Sequence, residues 1–266
     1  MKEGHFNQGG VVRPVLLSNW QNHIVNVQTG MLIAQTTGVV DISPSGQRAI
    51  NWGNMDVTPI VSPTLCNLRA PAPAWNKFGF TKRFGHSGWG FTASGQEYFV
   101  AQNNDNDYIE AVILETGEHW KLFQLTDLAA DYYESQANWV NFHLATMPRE
   151  YNGWVLVSTY GGKSWAENQL MLVEVVKTAP RIIRLGPTMT QWPVPLPVPP
   201  PPDGKVNSYF AEAFASANPG GRIVWGCNKM GASNLDVFCL TLPANWKMLS
   251  PAPGPTPTRL IPGLYE

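Results

Sequence analysis

The sequence predicts an all-β protein: a β-propeller of about five four-stranded antiparallel blades, the first of them incomplete. Three observations predict it. A nine-residue segment recurs four times, a hairpin recurs in the second half of each unit, and the composition combines many turn formers with few charges. The recurring segment runs from Gly46 to Asn54, Gly95 to Asn103, Gly153 to Gly161 and Gly220 to Asn228, aligned without gaps. Each copy opens on a turn glycine, passes through apolar or β-branched residues and closes on Asn or Gly. The opening glycines are 49, 58 and 67 residues apart. Propeller blades recur about every 40–50 residues, so this is a blade period with growing insertions.

The glycines belong to the turn sequences Ser43-Pro44-Ser45-Gly46, Thr92-Ala93-Ser94-Gly95 and Asn218-Pro219-Gly220-Gly221. Such sequences make tight hairpins in which glycine supplies positive φ. A short strand precedes the turn, as in Val39–Ile42 and Trp89–Thr92, giving the first two strands of a blade. The other two form a second hairpin. Tyr108–Leu114 and His119–Leu125 flank one turn, Asn168–Val176 and Arg181–Leu185 another, and His23–Val27 and Met31–Ala34 a third. Leu235–Leu242 is the third strand of the last unit. Strand, turn, strand, loop, strand, turn, strand is the plan of a propeller blade.

The blades fall roughly at 10–36, 37–70, 85–125, 141–186 and 209–249, within one domain. Val15–Asn19 matches a second strand, and too few residues precede it for an innermost one. Either the C-terminal tail supplies that strand and closes the ring, or further blades lie upstream. Proline suits a strand poorly. The Pro-rich tail at 250–266 therefore favours a shortened chain. Residues 187–204, with Pro199–Pro202, predict an extended polyproline insertion. Residues 58–84, with Pro59, Pro63, Pro71 and Pro73, predict a second long connection. Thr126–Val140 predicts at most one short helical turn.

Hydrophobic residues make up 44% of the 266 and charged residues only 14%, with a formal net charge of −1. That balance gives no electrostatic basis for binding nucleic acid or an anionic membrane. No apolar run has the length of a membrane span, so no membrane insertion is expected. The first six residues, MKEGHF, hold no signal-peptide core. Three cysteines, Cys66, Cys227 and Cys239, leave at least one thiol unpaired. Cys227 and Cys239 fall on neighbouring strands, which allows a disulfide without requiring one.

In a propeller the innermost strands line a channel, and equivalent positions at their entries converge on one mouth. Counting back nine residues from the turn glycine gives Thr37 and His86. His143 stands ten before Gly153, and Glu212 eight before Gly220. Two imidazoles and a carboxylate suit a divalent ion such as Mn, Fe or Zn, or a general base acting on a sugar. They equally suit hydrogen bonds to neighbouring strand ends. Trp89, Trp139 and Trp165 flank the same entries and are candidates to stack on a sugar ring, with inter-blade packing as the alternative. No GxSxG or HExxH motif is present, and Gly85–Gly90 lacks the lysine and helix of a phosphate loop.

The segments Gly85-His86-Ser87-Gly88-Trp89-Gly90, Gly153–Tyr160 and Arg222–Asn228 resemble the WD40-like, TolB-like propellers of secreted and periplasmic bacterial proteins. Oligogalacturonate-lyase-type propellers are among them. The resemblance covers roughly residues 37–246. It implies a propeller fold, an extracellular or periplasmic location, and in lyase-type members a histidine-rich mouth that binds a manganese-like ion beside a histidine base. His86 and His143 match histidine-bearing strand entries. Phe214, in Ala211-Glu212-Ala213-Phe214, stands where that resemblance leads one to expect a histidine. Two functions follow from these readings. The first is a non-catalytic binding propeller that takes a glycan or protein partner at its mouth. The second is a metal-assisted polysaccharide lyase or hydrolase, which requires His86, His143 and Glu212 to meet at one ion.

Overall fold

A computed structural model describes residues 12–16, 21–26, 28–37, 40–51, 64–77, 84–103, 108–124, 141–160, 166–190, 212–227 and 236–248. These residues form a β-propeller of five antiparallel sheets. The first holds β1 (Val12–Leu16), β2 (Gln21–Asn26) and β3 (Leu32–Thr37). The second holds β4 (Val40–Ile42), β5 (Arg48–Asn51), β6 (Thr64–Asn67) and β7 (Trp75–Lys77). The third is β8 (Phe84–Phe91), β9 (Glu97–Asn103), β10 (Tyr108–Ile113) and β11 (His119–Gln124). The fourth is β12 (Asn141–Ala145), β13 (Trp154–Tyr160), β14 (Gln169–Glu174) and β15 (Ile182–Pro187). The last is β16 (Phe214–Ala217), β17 (Arg222–Cys227) and β18 (Asp236–Thr241). Strands pair in chain order within every sheet, and no described strand joins the last sheet to the first. Helical structure among the described residues is confined to 3-10 turns at Arg149–Tyr151 and Trp246–Met248.

The turn chemistry repeats at the level of atoms. Gly46, Gly95 and Gly153 take φ of 71°, 87° and 84° between the first and second strands of their sheets. In three of the four turns, those of the second, third and last sheets, a polar side chain caps the start of the second strand. The backbone N–H of Arg48 donates to Ser43 Oγ at 3.1 Å, that of Gln96 to Thr92 Oγ1 at 3.1 Å, and that of Arg222 to Asn218 Oδ1 at 3.0 Å. In the last turn positive φ falls on Gly221, at 74°, one residue after the glycine chosen by the gapless alignment. The neighbouring Gly220 N–H is held by Asn218 Oδ1 at 3.0 Å.

Two expectations are corrected. The segment 58–84 is not merely a connection, because β6 and β7 lie within it. Its prolines border these strands rather than interrupt them: β6 runs between Pro63 and Pro71 and donates its ladder bonds unhindered. The cysteines are all free. Cys227 pairs with Asp236 and Cys239 with Val224, a stagger of three residues, or about 10 Å along a strand. A disulfide needs Cα atoms about 4.4–6.8 Å apart. The predicted helical turn at 126–140, the proline run and the C-terminal tail lie outside the described residues. The preceding strand reaches Pro187, the first residue assigned to the proline insertion.

The second strands of the third and fourth sheets, β9 and β13, are buried along their whole length because these sheets are covered on both faces. Tyr98 and Val100 of β9 pack against Val155 and Val157 of β13, together with Phe142 and Leu144 of β12. Phe99 and Ala101 point the other way and pack with Ile50 and Trp89. Trp154 and Leu156 of β13 join Ile223 and Leu240 of the last sheet and Trp246 of the 3-10 turn after it. Ile24 and Ala34 meet Ile42, Ala49 and Cys66 between the first two sheets. Four apolar clusters thus separate five sheets.

Direct bonds stitch the same interfaces. Tyr98 donates its hydroxyl to the Trp154 carbonyl, and Gly153 N–H donates to the Phe91 carbonyl at 2.6 Å. Met147 N–H reaches the Trp89 carbonyl at 2.7 Å. Arg48 bridges Glu97 at 2.9 Å and Glu115 at 3.1 Å. The glycines of β8 permit this closeness. A Cβ on Gly88 would sit 2.7 Å from the Ala145 carbonyl oxygen, and one on Gly90 would overlap the Tyr98 ring. Gly88→Ala is therefore expected to destabilise the protein by about 1–3 kcal/mol, the usual cost of overpacking a tight contact. The check is urea denaturation of Gly88→Ala against wild type, and an unchanged midpoint contradicts the close approach.

Candidate functional site

The entries of β8, β12 and β16 supply His86, His143 and Glu212. β12 packs against β8 on one side and β16 on the other, so three successive sheets bring these entries together. His86 sits in an irregularity of the β8–β9 pairing, between Phe84 opposite Asn103 and Ser87 opposite Ala101. Such a bulge re-aims a side chain out of the regular alternation. His143 is in register, opposite Ser158 of β13. Glu212 lies two residues before β16, and Ser158 fixes that segment by donating its hydroxyl to the Ala213 carbonyl at 2.6 Å. With Gly221 as the true turn glycine, Glu212 stands nine residues before it, the same offset as His86 from Gly95.

The three side chains form a row. His143 Nδ1 is 3.1 Å from His86 Nδ1, and His143 Nε2 is 2.9 Å from Glu212 Oε2. They therefore bond to one another, where the sequence had suggested a shared ion, a base acting on a sugar, or bonds to neighbouring strand ends. His143 is only 3% exposed and Glu212 11%, while His86 is half-buried. The His143 ring lies nearly parallel to Phe214, with centroids 3.7 Å apart, and to Tyr160 at 5.2 Å. His86 meets His143 edge-on at 4.2 Å and Phe142 at 6.0 Å.

The aromatic candidates fare differently. Trp89 is fully buried and packs edge-to-face on Phe99 at 4.9 Å, in the cluster between the second and third sheets. It alternates with Gly88 and Gly90 on a strand that abuts its neighbour, so its ring has no face for a sugar. Trp139 and Trp165 lie outside the described residues, as does the side chain of Thr37. Ser158, Tyr160 and Phe142 escaped the sequence reading. The signal for two of them was present: Ser158-Thr159-Tyr160 ends an otherwise apolar strand, and a polar end on a strand buried on both sides needs partners.

A divalent ion does not fit this row as arranged. Imidazole ligands present a lone pair to the metal and hold it at about 2.0–2.1 Å. His143 directs each ring nitrogen at another side chain, and His86 and Glu212 stand at opposite ends of it. Phe214, stacked on the His143 ring, brings no donor atom to it. Among the described residues no group of three His, Cys, Asp or Glu side chains is disposed around one point. His86, His143 and Glu212, the residues expected to share a Mn, Fe or Zn ion, form a hydrogen-bonded row in this arrangement.

Removing the central member takes one hydrogen-bond partner from each of the other two. His143→Ala is expected to cost about 2–4 kcal/mol, since it deletes a bond to a charged group and leaves a nearly buried carboxylate without that partner. His86→Ala, at the half-buried end, should cost less than half as much. Thermal and urea denaturation of both variants give the comparison, and equal losses would contradict the order.

No family model matches the chain, and no curated protein matches it in sequence. Solved structures match it in fold. An oligogalacturonate lyase in complex with manganese aligns at 15% identity and a TM-score of 0.51, over 85% of this chain and 55% of that one. TolB from Acinetobacter baumannii aligns at 11% identity and 0.44, over 88% and 53%. The β-propeller domain of Myceliophteria thermophila Cps50 aligns at 11% identity and 0.39, over 88% and 80%. The chain thus spans about half the length of the first two structures it matches.

Proposed function

We propose that this chain is a binding propeller, extracellular or periplasmic, which takes a glycan or protein partner at the mouth marked by His86, His143 and Glu212. One observation supports it above the rest. Three successive blades contribute one polar side chain each to a single hydrogen-bonded row, which gathers two imidazoles and a carboxylate at the entries of their innermost strands. Carbohydrate hydroxyls are natural partners for imidazole and carboxylate groups, which both accept hydrogen bonds from them. The absence of a helix long and apolar enough to cross a membrane, among the described residues, is compatible with that setting.

The likeness to an oligogalacturonate lyase in complex with manganese supports a second reading, a metal-assisted polysaccharide lyase. It would require the row to open, so that His143 gives up a side-chain partner for the ion. Calorimetric titration with galactose and galacturonate oligomers, with and without Mn²⁺, separates the two. On the binding reading one oligomer binds without metal, His86→Ala weakens it about tenfold or more, and no unsaturated product accumulates. A stoichiometric metal and an unsaturated product, both lost in His86→Ala, would replace binding by lyase activity.

A further inference from the structure

We propose that β18 is an association edge, and that it pairs antiparallel with β18 of a second copy of this chain about a two-fold axis at Cys239. The surface is separate from the mouth and uses none of His86, His143 and Glu212. Its basis is a bond that three other sheets make. In the first, third and fourth sheets, the last residue of the strand before the outer one donates its N–H across the hairpin that leads to the outer strand. Asn26 donates to the Met31 carbonyl at 2.9 Å, Ile113 to that of Glu118 at 2.8 Å and Glu174 to that of Arg181 at 2.9 Å. Thr241 is the equivalent residue of β18, and no described residue accepts its N–H. The ladder shows which way the other groups point. Leu242 N–H donates inward to the Gly221 carbonyl at 2.8 Å. Backbone groups alternate in direction along an antiparallel strand. Phe238 and Leu240 therefore also face β17, while Val237, Cys239 and Thr241 turn their N–H and C=O groups outward.

An open edge invites another strand, and proteins blunt such edges with bulges, lysines, prolines or short strands. The other outer strands are blunted in this way. β3, β11 and β15 each join their sheet through a register shift, and β7 is three residues long and ends on Lys77. β18 has none of these devices. It runs six residues in unbroken register with β17, and its one charged residue, Asp236, is its first. Val237 is 75% exposed, and Cys239 and Thr241 are exposed on the same face. The strand is also complementary to itself. A two-fold axis at Cys239 is the register that pairs every outward residue: Cys239 with the partner's Cys239, and Val237 with the partner's Thr241. Phe238 then meets the partner's Leu240 on the other face, and Asp236 falls opposite the partner's Leu242. No like charges oppose each other, and β-branched residues face β-branched residues. Side chains of Val237, Cys239 and Thr241 stay on the open face. An isologous contact of this kind closes at a dimer. One strand pair buries less than the roughly 1,200–2,000 Å² of a stable interface, which puts association in about the micromolar range.

Sedimentation equilibrium of the full chain under reducing conditions should show a reversible monomer–dimer equilibrium. Cys239→Lys sets two lysines directly across the axis and should weaken association at least about tenfold. Its side chain is exposed, so the circular dichroism of the sheets should not change. Cys239→Ser should dimerise as the wild type does. Register is read by cross-linking with diamide, which takes up the hydrogens of both thiols as the disulfide forms. Wild type should give a disulfide-linked dimer through Cys239, because hydrogen-bonded partners lie about 5.5 Å apart at Cα, within the range a disulfide spans. Cys66 and Cys227 are buried and take no part. In a Cys239→Ser background, Val237→Cys and Thr241→Cys should each cross-link poorly alone and readily when mixed. A monomer at every concentration overturns the proposal, whether this chain's own residues or another protein's strand then covers β18. A dimer that survives Cys239→Lys also overturns it, by placing the contact elsewhere. Should Cys239→Lys not fold, the mixed cross-link decides. Its absence, or equal cross-linking by either variant alone, overturns the pairing.

Discussion

A sheet buried on both faces must have neighbours on both sides, and the distance to those neighbours is set where their innermost strands meet. In this protein that distance is fixed at β8 and β12, where a Cβ on Gly88 would run into the Ala145 carbonyl, while Gly90 leaves the space that the Tyr98 ring fills. The Met147 N–H and Gly153 N–H can then reach carbonyls of the adjoining sheet, and the Tyr98 hydroxyl can reach the Trp154 carbonyl. Peptide groups that would otherwise be buried and unpaired are satisfied across the interface instead. Loosening the contact would cost both the apolar overlap of the third and fourth sheets and these bonds. The spacing also sets the mouth, because His86 and His143 ride on the same two strands.

The polar residues inside the sheets follow the same geometry. Arg48 lies between Glu97 of the next sheet's second strand and Glu115 of its outer hairpin. Glu97 is almost fully buried and also accepts the Ser45 N–H at 3.0 Å. Trp120 and Trp225 place their indole N–H groups on carbonyls of the fourth sheet, Val176 and Thr188, at 3.0 and 3.1 Å. Each adjacent pair among the last four sheets is thus joined by at least one such polar link.

Much of the fold was legible in the sequence because a turn has local chemistry. A glycine after Ser, Thr or Asn at the right offset marks a hairpin whatever surrounds it, and Gly46, Gly95 and Gly153 are such cases. The last turn holds two adjacent glycines, and nothing local says which takes positive φ; the choice of Gly220 over Gly221 shifted the apparent offset of Glu212. β6 and β7 were hidden because nearby prolines mask short strands, whose limits depend on pairing partners distant in sequence. The entry residues His86, His143 and Glu212 could be named from register, since rotation about an axis relates equivalent positions. Their mutual bonding could not, because it depends on the β8 bulge and on Phe214, which are settled in three dimensions. Trp89 shows the converse: its neighbours in sequence suggest an entry, and its neighbours in space bury it.

The three thiols differ in a way that reports on folding. Cys66 and Cys227 are buried, Cys239 is exposed on β18, and burial pushes the Cys66 thiol above its ordinary range. Reaction with an alkylating reagent requires both access and the thiolate. The native chain should accordingly carry a single fast-reacting sulfur, while Cys66, between the first two sheets, and Cys227, in the last, become reactive only as their own ends of the arc come apart. The native protein thus contains two internal clocks for opening at opposite ends and one surface handle, without any engineered label.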